Sequence, residues 1–235
     1  MSEINYNEIA DNHFKKYCEQ IKFRTSDEWL KLRMEGIGGS DVSAILGHNK
    51  YRNAPEIYDS KFELIESKPS YAIDYGHYFE PILFDTFKWK YSEEYETLNY
   101  KDVMFRNYFM PFCQASVDGV LVDKTTNQVG LLEIKTAQNK KSQWYNEDGT
   151  EGVPREYLDQ AVHYFITTGV DFIIFYAQID YKDIEDLDRD SEILKPRRIN
   201  REDMLEYMEH VTQEEINFWN NYVMKKERPP KRVVY

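Results

Sequence analysis

Val129-Gly130-Leu131-Leu132-Glu133-Ile134-Lys135-Thr136 is apolar enough to lie in a core, yet it carries a carboxylate and an ammonium two positions apart. Its length and β-branched content suit a strand. Side chains alternate faces along a strand, so Glu133 and Lys135 share one face while Ile134 lies behind them. Charges in a buried strand need partners, and metal coordination is one way to supply them.

Upstream, Ser116-Val117-Asp118-Gly119 ends one short apolar run and opens another, Gly119 to Val122. The turn signal Asp123-Lys124-Thr125-Thr126-Asn127 then returns the chain to Val129, which reads as a hairpin. Further strands are expected at Val103 to Phe109, Phe112 to Ala115 and Phe172 to Ile179. Between the last strand and Thr136 lies a helical pattern, Arg155 to Thr168, stopped by Gly169 and placed to cross one face of the sheet.

The flanks read as helical. Helices are expected over Ile4 to Ile21, Asp27 to Arg33, Ala54 to Ile65 and Ile73 to Trp89. Pro81 falls inside the last of these, so the pattern predicts a start near Gly76 or a kink. Gly36-Ile37-Gly38-Gly39-Ser40-Asp41 leads into Val42, Ile45 and Leu46 at helical spacing and predicts a short helix capped by Ser40 and ended at Gly47. Asp180 to Asp190 reads as an acidic solvated loop. Asn200 is the expected cap of a long helix to about Lys226, and a basic tail, Lys225 to Arg232, follows. These elements predict an α/β domain with a central mixed β-sheet flanked by helices. Residues 1–235 read as one domain: a helical part over 1–70, a catalytic core over 71–180, and an acidic loop, helix and tail over 181–235.

Composition sets limits on function. With 41% hydrophobic residues, a chain of 235 has material for a sizeable core. No run approaches the roughly 20 apolar residues that a membrane span requires, and the N-terminus lacks a signal-like pattern, so a soluble, cytoplasmic protein without a membrane partner is expected. Two cysteines outside any C-x-x-C pair suggest neither a disulfide framework nor a zinc site. The net charge of −12 argues against a generic nucleic-acid binder, but carboxylates that hold divalent cations contribute to that sum.

Asp118 and Glu133 can meet if Asp118 closes one arm of the hairpin, and Glu80, on the preceding helix, can supply a third oxygen ligand. Such a set suits Mg²⁺, with Mn²⁺ able to substitute. Lys135 would then orient the attacking water, help deprotonate it or balance charge as a phosphodiester is hydrolysed.

Asp118 with Glu133-Ile134-Lys135 resembles the D…(D/E)-x-K signature of restriction-endonuclease-like nucleases. The surrounding segments resemble one branch of them, the YqaJ-type viral recombinases of the lambda-exonuclease kind. The matching segments are Lys31-Leu32-Arg33 with Gly36 to Asp41, Tyr75-Gly76-His77-Tyr78-Phe79-Glu80, Ser116 to Gly119, Leu132 to Thr136, and Tyr157 to Tyr164. The resemblance implies metal-binding acids at Glu80, Asp118 and Glu133, a further metal ligand in the Ile134 carbonyl, and a catalytic lysine at Lys135. It also implies a site glutamine at Gln160, a grip on a terminal 5′-phosphate by Arg33 and Ser40, and a DNA-phosphate contact at Ser116. The implied activity is Mg²⁺-dependent digestion of linear double-stranded DNA, 5′ to 3′, in phage-type recombination, with a single-strand annealing protein as partner and a trimeric ring as assembly. An endonuclease of the same superfamily and a non-catalytic, protein-binding module of the same fold are the alternatives.

Overall fold

The computed structural model describes residues 4–63, 70–138, 141–181 and 191–231. The first helix, α1 (Tyr6–Phe14), opens where the Asn5 side chain accepts the Glu8 N–H. It stops at Phe14 instead of reaching Ile21. Cys18–Lys22 is instead a strand, β1, paired antiparallel with Val103–Asn107. The mixed apolar spacing there fits neither period well, and partners some 85 residues later in the chain select the extended form.

Helix α2 (Ser26–Met34), a two-residue strand β2 (Ile37–Gly38) and helix α3 (Gly39–Leu46) follow. Gly38, not Ser40, caps α3: the Asp41 carboxylate accepts the Gly38 N–H at 3.1 Å, so the helix begins two residues earlier than the Ser40 signal predicts. It ends at Gly47 in the left-handed region, as expected. The next helix, α4, is short, Ala54–Asp59 against the expected Ala54 to Ile65, whose last two residues lie outside the described residues. Helix α5 runs from Tyr71 to Lys90 with Pro81 inside it, so the start near Gly76 is not observed. Pro81 is exposed, and so is His77, whose carbonyl loses its helical donor and can be met by water.

The middle of the chain is β-rich: β3 (Tyr95–Leu98), β4 (Val103–Asn107), β5 (Cys113–Ser116), β6 (Gly119–Asp123) and β7 (Val129–Gln138). Helix α6 (Arg155–Thr168) crosses from β7 to the parallel strand β8 (Phe172–Asp180). Two short strands, β9 (Ser191–Ile193) and β10 (Arg197–Asn200), pair with the far edge of β8. Most of the expected acidic loop lies outside the described residues. The expected long final helix is segmented: a 3-10 turn at Arg201–Met204, α7 (Leu205–Phe218) and a π turn at Trp219–Val223, with no capping bond from the Asn200 side chain.

The α/β class with a mixed sheet holds, but the strands divide between two sheets. One has the order β1-β4-β5-β2. The other runs β10-β8-β7-β6-β3, with β9 also on β8. Leu83 and Phe87 of α5 pack on Leu121, Leu132, Ile134 and Ile174, which share one face of the larger sheet. The opposite face, including Leu131, Ile173 and Phe175, packs with Phe14, Ala161 and Phe165 of α1 and α6. No helix among the described residues is long and apolar enough to cross a membrane. The chain passes from one sheet to the other at Val117 and Asp118, the seam where the expected site residues meet.

Candidate active site

A cavity of about 300 Å³ opens at this seam. It is lined by all nine site residues expected from the sequence: Arg33, Ser40, Glu80, Ser116, Asp118, Glu133, Ile134, Lys135 and Gln160. They come from six separate elements, α2, α3, α5, β5, β7 and α6, and from the link between β5 and β6.

The placement of Asp118 follows from strand register. The β6–β7 ladder begins with Gly119 opposite Leu132, so the edge of β7 beyond Leu132 has no partner from β6. The Asp118 carboxylate takes the place of the missing strand and accepts the Ile134 N–H at 2.7 Å. That bond brings Asp118 beside Glu133. Burial and the neighbouring Glu133 hold the Asp118 carboxyl well above the usual carboxylate range, and Glu80 adds to the rise against the opposing pull of Lys135 and the Ile134 N–H.

Glu133 and Lys135 point together toward α6, as strand alternation predicts. Glu133 is only 2% exposed. Its Oε2 accepts from Lys135 Nζ at 2.7 Å and from Gln160 Nε2 at 3.0 Å, whereas its Oε1 is buried without a hydrogen-bond partner. Burial raises the Glu133 pKa, and Lys135 offsets part of that. Burial works against the Lys135 ammonium, but Glu133 and Asp118 outweigh it and keep the amine protonated. Lys135 also donates to Gln160 Oε1 at 3.0 Å and lies 5.0 Å from the centre of the Tyr157 ring. Glu80 is half-buried at the cavity wall and makes no side-chain hydrogen bond among the described residues.

Three carboxylates thus face one amine in a confined space, with one orphaned carboxylate oxygen. A donor set of this kind, all oxygen and net negative, fits a hard divalent cation. A second group of ligand-type side chains, Cys113, His163 and Glu215, is fully buried between β5, α6 and α7. Its geometry is that of hydrogen bonds: His163 Nδ1 lies 2.6 Å from Glu215 Oε1, closer than the roughly 3.3 Å between two ligands of one tetrahedral zinc ion. His163 Nε2 faces the Gln114 carbonyl at 2.8 Å and must carry a proton there. Burial works against the imidazolium, yet Glu215 outweighs it and raises the His163 pKa. This ion pair ties α6 to β5 and α7, fixing the helix that carries Gln160.

On the other side of the cavity, Arg33 Nη2 donates to Asp41 Oδ1 at 2.9 Å and lies 3.3 Å from Ser40 Oγ. A Cβ on Gly38 would coincide with the Arg33 guanidinium, and one on Gly39 would fall 2.7 Å from the Tyr164 ring and 2.8 Å from Gln160 Cγ. Close approach of side chains, and not a special backbone angle, is what this glycine pair provides.

Three lining residues have no place in the sequence-based set: Trp29, Gly39 and Tyr164. The Tyr164 hydroxyl accepts from Gln160 Nε2 at 2.9 Å and donates to the Ser116 carbonyl at 2.8 Å, linking α6 to β5. Its position four residues after Gln160 on one helix is the signal that could have found it. Trp29 lies under Arg33, one turn earlier on α2, with the guanidinium 5.7 Å from its ring centre.

Residues 28–171 match the model of the YqaJ-like viral recombinase domain. The chain belongs to that family. It is 29% identical over 214 residues to the uncharacterised protein YqaJ of Bacillus subtilis, in an alignment covering 86% of this chain. The chain spans 58% of the length of that curated relative. Among solved structures, the alkaline exonuclease LHK-Exo of Laribacter hongkongensis superposes with a TM-score of 0.62 at 18% identity, covering 86% of this chain and 94% of that one. Its complex with dAMP gives 0.63 over the same shares. The YqaJ-family member described here therefore shares its fold with an alkaline exonuclease.

Proposed function

We propose that this chain is a metal-dependent deoxyribonuclease that hydrolyses phosphodiester bonds of linear double-stranded DNA from a 5′ end. The observation that carries the reading is the convergence of Glu80, Asp118 and Glu133 with Lys135 in the cavity that also holds Arg33 and Ser40. The recombinase family and the exonuclease fold support it.

Glu80, Asp118, Glu133 and the Ile134 carbonyl would hold the cation. Bound there, Mg²⁺ or Mn²⁺ would supply a polarising charge for the scissile phosphate and an acidified water. The residues of the chain do the rest. Lys135, held charged by Glu133 and Asp118, donates a hydrogen bond to a non-bridging phosphate oxygen and offsets charge as it develops. Gln160 fixes the Lys135 amine through its Oε1 and Glu133 through its Nε2, so both act from one geometry. Arg33 and Ser40 receive the terminal 5′-phosphate, with the first turn of α3 contributing its N–H groups. Ser116 lies along the path of the strand between these two ends. A second protein that anneals the exposed single strand, and assembly of several copies around the duplex, belong to the same reading.

Digestion of end-labelled linear duplex, with and without Mg²⁺ and beside a closed circle, tests it. Release of nucleotides from the linear substrate alone, dependent on the metal, is the expected result. Equal attack on the circle would replace the exonuclease with an endonuclease, and no metal-dependent turnover on either substrate would remove the enzymatic reading.

A further inference from the structure

We propose that Asp41 and Lys61 are positioning residues that hold the Arg33 guanidinium at the phosphate end of the cavity and away from the three metal-site acids. The proposal rests on the reading of Arg33 and Ser40 as the grip for a 5′-phosphate.

Asp41 is 1% exposed and takes four donors: Arg33 Nη2 at 2.9 Å, Arg52 Nη1 at 3.4 Å, Lys61 Nζ at 2.9 Å and the Gly38 N–H at 3.1 Å. Lys61 is buried as well, and its amine also donates to the Arg33 main-chain carbonyl at 3.2 Å. Arg33 is therefore held at both ends, its backbone by Lys61 and its guanidinium by Asp41. Three cations around one carboxylate leave two positive charges in excess at this end of the cavity. The other end has three carboxylates and a single ammonium. Left unrestrained, an arginine with its long flexible stem would fold onto those acids, because the attraction between opposite charges grows as the enclosed space excludes water. Asp41 removes that option. Gly38, where a Cβ would overlap the guanidinium, and Trp29, whose ring centre lies 5.7 Å from it, reinforce the placement. Of the four donors to Asp41, only the Gly38 N–H belongs to the start of α3; the other three are side-chain cations.

Binding of a short blunt duplex, labelled at one 3′ end and carrying either a 5′-phosphate or a 5′-hydroxyl, reports the proposal by fluorescence anisotropy without requiring turnover. Wild-type protein is expected to prefer the phosphorylated end, and Asp41→Asn to lose that preference by roughly ten-fold, the effect of a lost charge-assisted contact. Arg33→Ala combined with Asp41→Asn should be no worse than Arg33→Ala alone, since both act through one guanidinium. A merely structural role would weaken binding to both ends equally and leave the ratio in place. If Asp41→Asn does not fold, Lys61→Met decides: a folded variant should lose preference in the same direction by a smaller factor. A folded variant of either kind with the wild-type ratio overturns the positioning role and leaves the phosphate grip intact. Wild-type protein with no preference between the ends overturns both.

Discussion

Two charged clusters, one around the buried Asp41 carboxylate and one around Glu80, Asp118 and Glu133, meet at one cavity and are built in opposite ways. Asp41 has more cations than it can use, and Arg33 with Lys61 outweighs its burial and drives its pKa far below the usual carboxylate range. Asp118 and Glu133 share one ammonium among three acids, and both pKa values rise. Buried charges are stabilised when paired and costly when not, so the first group is complete within the protein and the second is complete only with something added. On the reading proposed above, the contrast separates the positioning residue from the metal-site acids by charge alone.

The largest expected effect follows from removing one acid of the incomplete group. Asp118→Asn or Glu133→Gln should lower nuclease activity by roughly a thousand-fold, since an electrostatic element of the reaction is lost. Asp118→Asn should leave the metal-free fold as stable as before or more so, because it relieves repulsion between acids, whereas Glu133→Gln also removes the charge paired with Lys135. A large loss of stability alongside the activity in Asp118→Asn would mean that this carboxylate serves the fold.

Asp41→Asn should do the reverse to stability. It strands the buried Lys61 ammonium and is expected to cost about 3 kcal/mol, measurable by urea unfolding. A cost near zero would show that the two groups do not differ in the way their charges indicate.

Acid separates them again. The folded pKa of Asp118 is raised, so its contribution to stability is fully present below the ordinary carboxylate pKa and is lost as pH rises through the folded value. Asp41 is depressed, so its contribution is present above the ordinary value and is lost only as pH falls through the folded one, in strong acid. Thermal melts of the metal-free protein should therefore show stability falling across the weakly acidic range, a slope flattened in Asp118→Asn. Millimolar Mg²⁺ should restore wild-type stability at neutral pH by mass action and leave Asp118→Asn unchanged. A slope of opposite sign would contradict the arrangement of charge described above.

The smallest effect belongs to Tyr164→Phe, which removes one hydroxyl bridging Gln160 and the Ser116 carbonyl. About 1 kcal/mol of stability and a several-fold loss of rate are expected, read from melts and initial rates on linear duplex. Wild-type behaviour would mean that His163 and Glu215 alone keep α6 in place.

Much of this site was legible in the sequence because it rests on local rules. Alternation along β7 puts Glu133 and Lys135 on one face, and the hairpin turn returns Asp118 to their side. Other features depend on partners far away in the chain. The polar residues of β1 and the arginines of β10 become strands only through pairing with β4 and β8, which no local period reports. Ser40 has the chemistry of a cap, but Asp41 bonds back to Gly38 and moves the helix start. Lys61 resembles any solvated lysine on a short helix, and nothing nearby in the chain signals its burial beside Asp41.

The Asp118 side chain takes the next rung of the β6–β7 ladder where the strand itself stops. Spacing between the acids is thus measured in rungs and not in residues of connecting chain. The turn at Asp123–Gln128, at the remote end of the hairpin, could accept inserted residues or a reporter tag with the ladder intact, whereas one residue added within β6 would shift every rung and turn Asp118 away from its partner. That turn is the natural place to attach a probe to a working copy of this protein.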